Sequence, residues 1–154
     1  MNFALPPDAV QLLIGGAING SILVLLALAA PRLTKQILFA VLVFAAVMYV
    51  VFTVGTEDAS LWMLVEIAGI ALYGAMGWRG LNGSPWWLVA GWVAHPVWDI
   101  ALHFIGPGHT FAPVDYTIPC LTYDLAVAAI YAIRLAWPRH AIESLPVTAH
   151  QPSS

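Results

Sequence analysis

The sequence predicts an all-α fold: a polytopic membrane protein built as a five-transmembrane-helix bundle, N-terminus outside and C-terminus inside. Three observations carry that prediction. The chain of 154 residues is 61% hydrophobic and only 8% charged, where soluble domains carry about 25% charged residues, and its mean hydropathy is +0.85. Its apolar residues fall into five stretches, each close to the ~20 residues that cross a ~30 Å hydrocarbon core. Finally, its five Lys and Arg residues all fall on alternate connections, so that one side of the membrane holds them all, as the positive-inside rule requires.

The first stretch, about 9–30, lacks both the basic n-region and the small-residue cleavage site of a secretory signal, and is therefore expected to remain as a helix. Its Gly16 and Gly20 form a GxxxG pattern that permits close contact with another helix. Arg32 and Lys35 follow on the inner side. The second stretch, about 35–55, ends at Glu57 and Asp58 outside, and the third, about 60–80, ends at Arg79 inside. The fourth, about 84–106, opens on Ser84 as N-cap with Pro85 in the first turn and closes at Gly106-Pro107-Gly108. His109 and Asp115 occupy the next outer connection, and the fifth stretch, about 117–137, ends between Arg134 and Arg139. Trp62, Trp78, Trp86, Trp87 and Trp137 lie near the predicted ends, where amphipathic rings anchor helices at the headgroup level. Residues 1–138 thus form one transmembrane domain, and 139–154, rich in Pro, Ser and Thr, form a cytoplasmic, disordered tail. This is the layout of a multi-pass protein of a cell (inner) membrane.

The composition also excludes several classes. A single cysteine, Cys120, rules out an intramolecular disulfide and any CxxC metal or redox pair, and it reads as a small apolar helix residue. No basic, aromatic-interleaved surface points to nucleic acid. The net charge of −3 is decided by a few loop and terminal residues. An odd number of helices does not suit an inverted repeat.

What calls for explanation is the run WVAHPVWDIALHFIGPGH at 92–109. His95, Asp99 and His103 are spaced four residues apart, on one face of a helix. Counting inward from the outer ends places Glu66 roughly 9 Å deep, Asp99 roughly 10 Å and Asp124 roughly 10–13 Å. His103 lies above this layer and His95 below it. Asn19 reaches a depth of roughly 15 Å, and Tyr73, Tyr116, Tyr123 and Cys120 can line the same space. A charged group at the centre of a membrane helix costs on the order of 2.5–3.5 kcal/mol, so three acids and two histidines at one level imply use. Pro96, directly after His95, removes the hydrogen bond to the carbonyl of Trp92 and predicts a kink.

Three chemistries suit such a layer. Glu66, His95, Asp99, His103 and Asp124 could ligate a divalent metal ion, zinc or iron. His95 and His103 are, however, about 12 Å apart along the helix, so two ions bridged by Asp99 fit better than one. Without metal, the same five residues could serve as catalytic acids and bases that isomerise, cyclise or hydrolyse a lipid-soluble or small apolar substrate arriving from the bilayer. Trp92 or Trp98 would then stabilise a developing cation, and Asn19, Tyr73, Tyr116 and Tyr123 would complete the binding site. In general plan only, this layout is similar to small multi-pass sterol isomerases and membrane terpene cyclases. The third chemistry is proton- or cation-coupled transport, which in so thin a bundle would require a homo-oligomer. A purely structural role, with Asp99 clamping His103 or Asp124 bonding Tyr123, is the remaining reading. The segments GWVAHPVWD, GPGH and YDL resemble small bacterial multi-pass membrane proteins of unassigned function, over helices 4 and 5, a resemblance that implies no activity.

Overall fold

In the computed structural model, which describes residues 5–137, every regular element is helical. The tail expected to be disordered, with Arg139, lies outside the described residues. The elements are α1 (Ala9–Ala29), α2 (Thr34–Phe52), α3 (Ala59–Asn82), α4 (Trp86–Trp98) and α5 (Val114–Ala136). A π-helix over Asp99–Phe104 and a 3-10 turn over Pro107–Thr110 stand between α4 and α5. By length and composition, α1, α2, α3 and α5 are each sufficient to cross a membrane.

The fourth helix departs most from the sequence-based expectation. Its α-helical part has 13 residues, and the chain then runs without interruption into the π-helix. Pro96 has no N–H, so the turn before it loses a backbone bond. Beyond it the helix widens, and the Ile105 N–H bonds the Ile100 carbonyl at 2.8 Å, five residues back. The expected kink is thus a π-helical segment, one of the few ways a helix absorbs such a break without ending. The helix start also differs. Pro85, not Ser84, is the N-cap, with no side-chain capping bond. Proline's fixed φ already turns the chain there, and Ser84 contributes only its backbone carbonyl, which accepts from the Trp87 N–H at 3.1 Å.

Packing follows from small residues. A Cβ on Gly16 would run into the carbonyl of Pro119, and one on Gly20 into the carbonyl of Tyr123. Successive turns of α1 therefore meet successive turns of α5 in the same order, so the two helices run parallel at backbone contact, the close approach that GxxxG permits. The Thr122 hydroxyl donates to the Leu13 carbonyl at 2.6 Å along the same seam. The α2–α3 pair is antiparallel: the Lys35 ammonium, near the start of α2, donates to the Leu81 carbonyl in the last turn of α3 at 2.7 Å. Beside it the Arg79 guanidinium sits 5.2 Å from the Trp87 ring centroid.

Leu38, Leu42, Tyr73, Leu88, Trp92 and Val127 fill the centre of the bundle. The outer face is aliphatic instead of polar. Ile14, Ile18, Ile22, Leu25 and Leu26 on α1 and Leu61, Leu64, Ile67 and Leu72 on α3 are all exposed. A predominantly apolar exterior of this kind marks a surface made for another apolar phase.

Candidate functional site

All five ionisable residues of the predicted layer point inward. Glu66 is 3% exposed, His95, Asp99 and His103 are each 1% exposed, and Asp124 is 0% exposed. Glu66 comes from α3, His95 from α4, Asp99 and His103 from the π-helix and Asp124 from α5. The described cations lie elsewhere: Arg79 and Arg134 are near the C-terminal ends of α3 and α5, Arg32 is in the turn before α2, and Lys35, at the start of α2, reaches the Leu81 carbonyl in the last turn of α3.

The structure divides the five into two sets. His95 Nδ1 is 2.7 Å from Asp124 Oδ2, hydrogen-bonding distance, and 3.7 Å from Asp99 Oδ2. His103 Nε2 stands 3.4 Å from Glu66 Oε1, a close contact without a hydrogen bond. The histidine spacing that suggests one face of one helix therefore serves two different partner helices, α5 for His95 and α3 for His103. The π-helix contributes to this split, because its wider turn changes the angle at which His103 leaves the axis.

Tyr49 of α2, which the sequence pattern does not single out, joins the two sets. Its ring stacks on the His103 imidazole, with centroids 4.0 Å apart and planes 10° from parallel, and its centroid lies 6.2 Å from that of His95. Its hydroxyl meets Thr117 Oγ1 at 3.5 Å. Depth is the signal that could have found it: Tyr49 lies roughly 9 Å below the predicted outer end of helix 2, level with Glu66. A count restricted to ionisable residues misses it. Replacing Tyr49 with Phe is expected to keep the stack and change stability by less than about 1 kcal/mol, whereas Tyr49→Ala leaves a hole beneath His103 and costs about 3–5 kcal/mol. Unfolding midpoints in detergent distinguish the two.

The remaining predicted residues are distributed around this centre. Tyr73 is buried, edge-on to His95 with centroids 5.1 Å apart, and Trp98 stands behind it at 6.3 Å. Trp92 is in the hydrophobic core, 6.0 Å from the Tyr123 ring. The Tyr116 hydroxyl donates to the Ala45 carbonyl at 3.3 Å. Asn19 is not drawn into the polar centre. Its amide donates to the Gly15 carbonyl of its own helix at 2.9 Å, on an exposed face, because at mid-helix a short amide reaches a backbone acceptor one turn back more readily than a side chain across the bundle.

Polar capacity exceeds the internal supply of partners. Both Asp99 oxygens, Asp124 Oδ1, His95 Nε2, His103 Nδ1 and the Tyr73 hydroxyl are buried without a hydrogen bond among the described residues. Leaving such groups unpaired costs about 1–3 kcal/mol each, more for charged ones. His95, Asp99 and Asp124 each offer one ligand atom, all within 4.8 Å of one another, and three protein ligands with an open position is the pattern of a catalytic zinc site. Glu66 and His103 stand outside that group. Two ligands at ~2.0–2.1 Å around a tetrahedral ion are about 3.3 Å apart, so His95 and Asp124 would have to open slightly from their hydrogen bond to hold one.

Against known proteins, a family described as a family of unknown function (DUF6010) matches residues 11–137, a span that includes every residue of this site. No curated protein and no solved structure matches the chain.

Proposed function

The chain belongs to the DUF6010 family, a family of unknown function, and from that premise we propose that it is a five-span membrane protein performing acid–base chemistry on a lipid-soluble or small apolar molecule. The reaction is of the isomerase, cyclase or hydrolase type. One observation carries this reading: five ionisable side chains, 0–3% exposed, face one another inside an apolar bundle without a Lys or Arg among them. An arrangement that costs stability at every member is retained for what it does.

The roles follow from the contacts. Asp124 accepts from His95 Nδ1–H, which orients the ring and leaves Nε2 as the basic nitrogen. That nitrogen has no hydrogen bond and is the group that takes a proton from substrate or returns it. Asp99, 3.7 Å from the same imidazole, is the partnering acid at the centre of the site. His103 and Glu66 form a second pair that can resupply a proton, with Tyr49 between them and His95. In proteoliposomes given total membrane lipid, the expected result is a chemically altered lipid that a His95→Ala variant does not produce. Accumulation of an unaltered solute would overturn the enzyme reading in favour of a coupled carrier.

Topology supports the same reading. Parallel α1 and α5 require an odd number of crossings from one to the other, and the basic residues gather at one end, as an N-outside, C-inside orientation expects. In a Cys120→Ala background, Glu57→Cys is expected to react with a membrane-impermeant maleimide in intact cells and Lys35→Cys to be protected. The reverse pattern would invert the orientation.

The convergence of His95, Asp99 and Asp124 within 4.8 Å favours a second reading in which these three residues would hold zinc or iron, whose chemistry there would be to lower the pKa of a bound water. Metal analysis of protein purified without chelator, its affinity tag removed, tests it. That reading expects one ion per chain, lost on Asp124→Asn, and a lower unfolding midpoint after chelation. Metal-free protein with full activity would exclude it.

A further inference from the structure

A cavity of about 440 Å³ lies between α1 and α2 with α5 as its floor, a size typical of small-molecule sites. Gly15 and Asn19 of α1, Phe44 of α2, and Cys120, Tyr123 and Asp124 of α5 are among the residues lining it. Phe44 is exposed on the outer face, so the mouth opens sideways through the apolar exterior and not at an end of the bundle. Its inner wall contains one carboxylate. Asp124 Oδ2 is engaged by His95, while Oδ1 is buried with no hydrogen bond. A larger groove of about 790 Å³ between α3 and α4, lined by Val65, Leu72, Tyr73 and Trp98, contains no acid.

We infer that this cavity is a lateral portal from the bilayer, and that it takes a lipophilic alcohol, an apolar chain with one hydroxyl, whose O–H donates to Asp124 Oδ1. This deepens the acid–base reading and rests on it for any chemistry after binding. The predominantly apolar walls select the chain, and Asp124 Oδ1, the one buried acceptor in the lining left without a hydrogen bond among the described residues, selects a donor. A molecule without the donor leaves a buried carboxylate oxygen unsatisfied, the kind of mismatch that discriminates most strongly between otherwise similar ligands. Bound in this way, the hydroxyl end lies against the Asp124–His95 pair, where protons can be exchanged.

Two residues make the portal testable without any knowledge of the reaction. Cys120, the single cysteine of the chain, lines the cavity and reports its occupancy. Gly15 lines it too, and a Cβ there meets nothing within 4 Å, so a large side chain can fill the space without disturbing the seam made by Gly16. With the full chain in nanodiscs, N-ethylmaleimide is expected to modify Cys120 and a membrane-impermeant maleimide is not. Gly15→Trp should slow the modification about tenfold, while Gly15→Ala should leave it at the wild-type rate. Dodecanol should protect Cys120, and dodecyl methyl ether, which cannot donate, should protect at least about tenfold less well.

Equal protection by the alcohol and the ether would overturn the hydroxyl assignment. An unchanged rate in a folded Gly15→Trp protein would overturn the portal. Labelling reads access alone, so a portal that behaves as expected in a protein without turnover would count against the proposed chemistry and not against this inference.

Discussion

Replacing Asp124 with Ala is expected to be the most damaging single change in the polar centre, lowering stability by about 3–5 kcal/mol. The carboxylate is fully buried and holds His95 Nδ1 at 2.7 Å. Its removal takes away the one hydrogen-bond partner of the His95 imidazole among the described residues, the nearest remaining carboxylate oxygen being Asp99 Oδ2 at 3.7 Å. Asp124→Asn keeps the volume and one carbonyl oxygen, and falls between the two. The double variant Asp124→Leu with His95→Phe should recover most of the loss, because exchanging both partners for apolar groups of similar size removes the desolvation cost along with the bond. Unfolding midpoints of the two singles and the double form a cycle in which a coupling of more than about 1 kcal/mol is expected between these contacting residues. The double variant should be as folded as the wild type and without activity.

Gly16→Leu is the second large effect, and its cause is different. The added Cβ would overlap the Pro119 carbonyl and sit 2.5 Å from Thr122 Oγ1. Since the principal obstacle is backbone, no rotamer change relieves it. The α1–α5 seam must separate, losing the 2.6 Å bond from Thr122 to the Leu13 carbonyl. Overpacking of this kind costs about 1–3 kcal/mol where side chains can adjust, and more where they cannot. The neighbouring Gly15→Leu is the control: its Cβ has open space, and the same addition one residue earlier should leave the unfolding midpoint within about 0.5 kcal/mol. Equal behaviour of the two variants would show that the helices do not meet at Gly16.

How much of the fold and the site is legible in the sequence depends on which signal each feature leaves. Helices are readable because apolar length and Gly, Pro and charge punctuation act locally, and the inward placement of Glu66, His95, Asp99, His103 and Asp124 is expected from the cost of facing such groups outward. The division of the histidines is not readable. His95 and His103 keep the same spacing whether the intervening turn is α or π, and what separates their partners is the packing of α3 and α5 against either side of that turn. Pro96 signals a disturbance but not its form, since a kink, a break and a π-helix all answer a missing N–H. Tyr49 escapes notice because an aromatic residue inside an apolar run has no charge to mark it, although its depth does. Asn19 shows the converse: polarity at the right depth does not place a side chain in the centre when its own helix offers a carbonyl within reach.

The unfolding midpoint of Asp99→Asn tests most directly whether the centre exists for chemistry or for structure. Asp99 is 1% exposed, and neither of its oxygens makes a hydrogen bond among the described residues. A group held there for function burdens the fold, so neutralising it at constant shape should leave the midpoint unchanged or raise it, a gain in stability of up to about 2 kcal/mol. A fall of several degrees would mean that the Asp99 carboxylate holds the helices together, directly or through a bound ion, and would contradict the metal-free acid–base account.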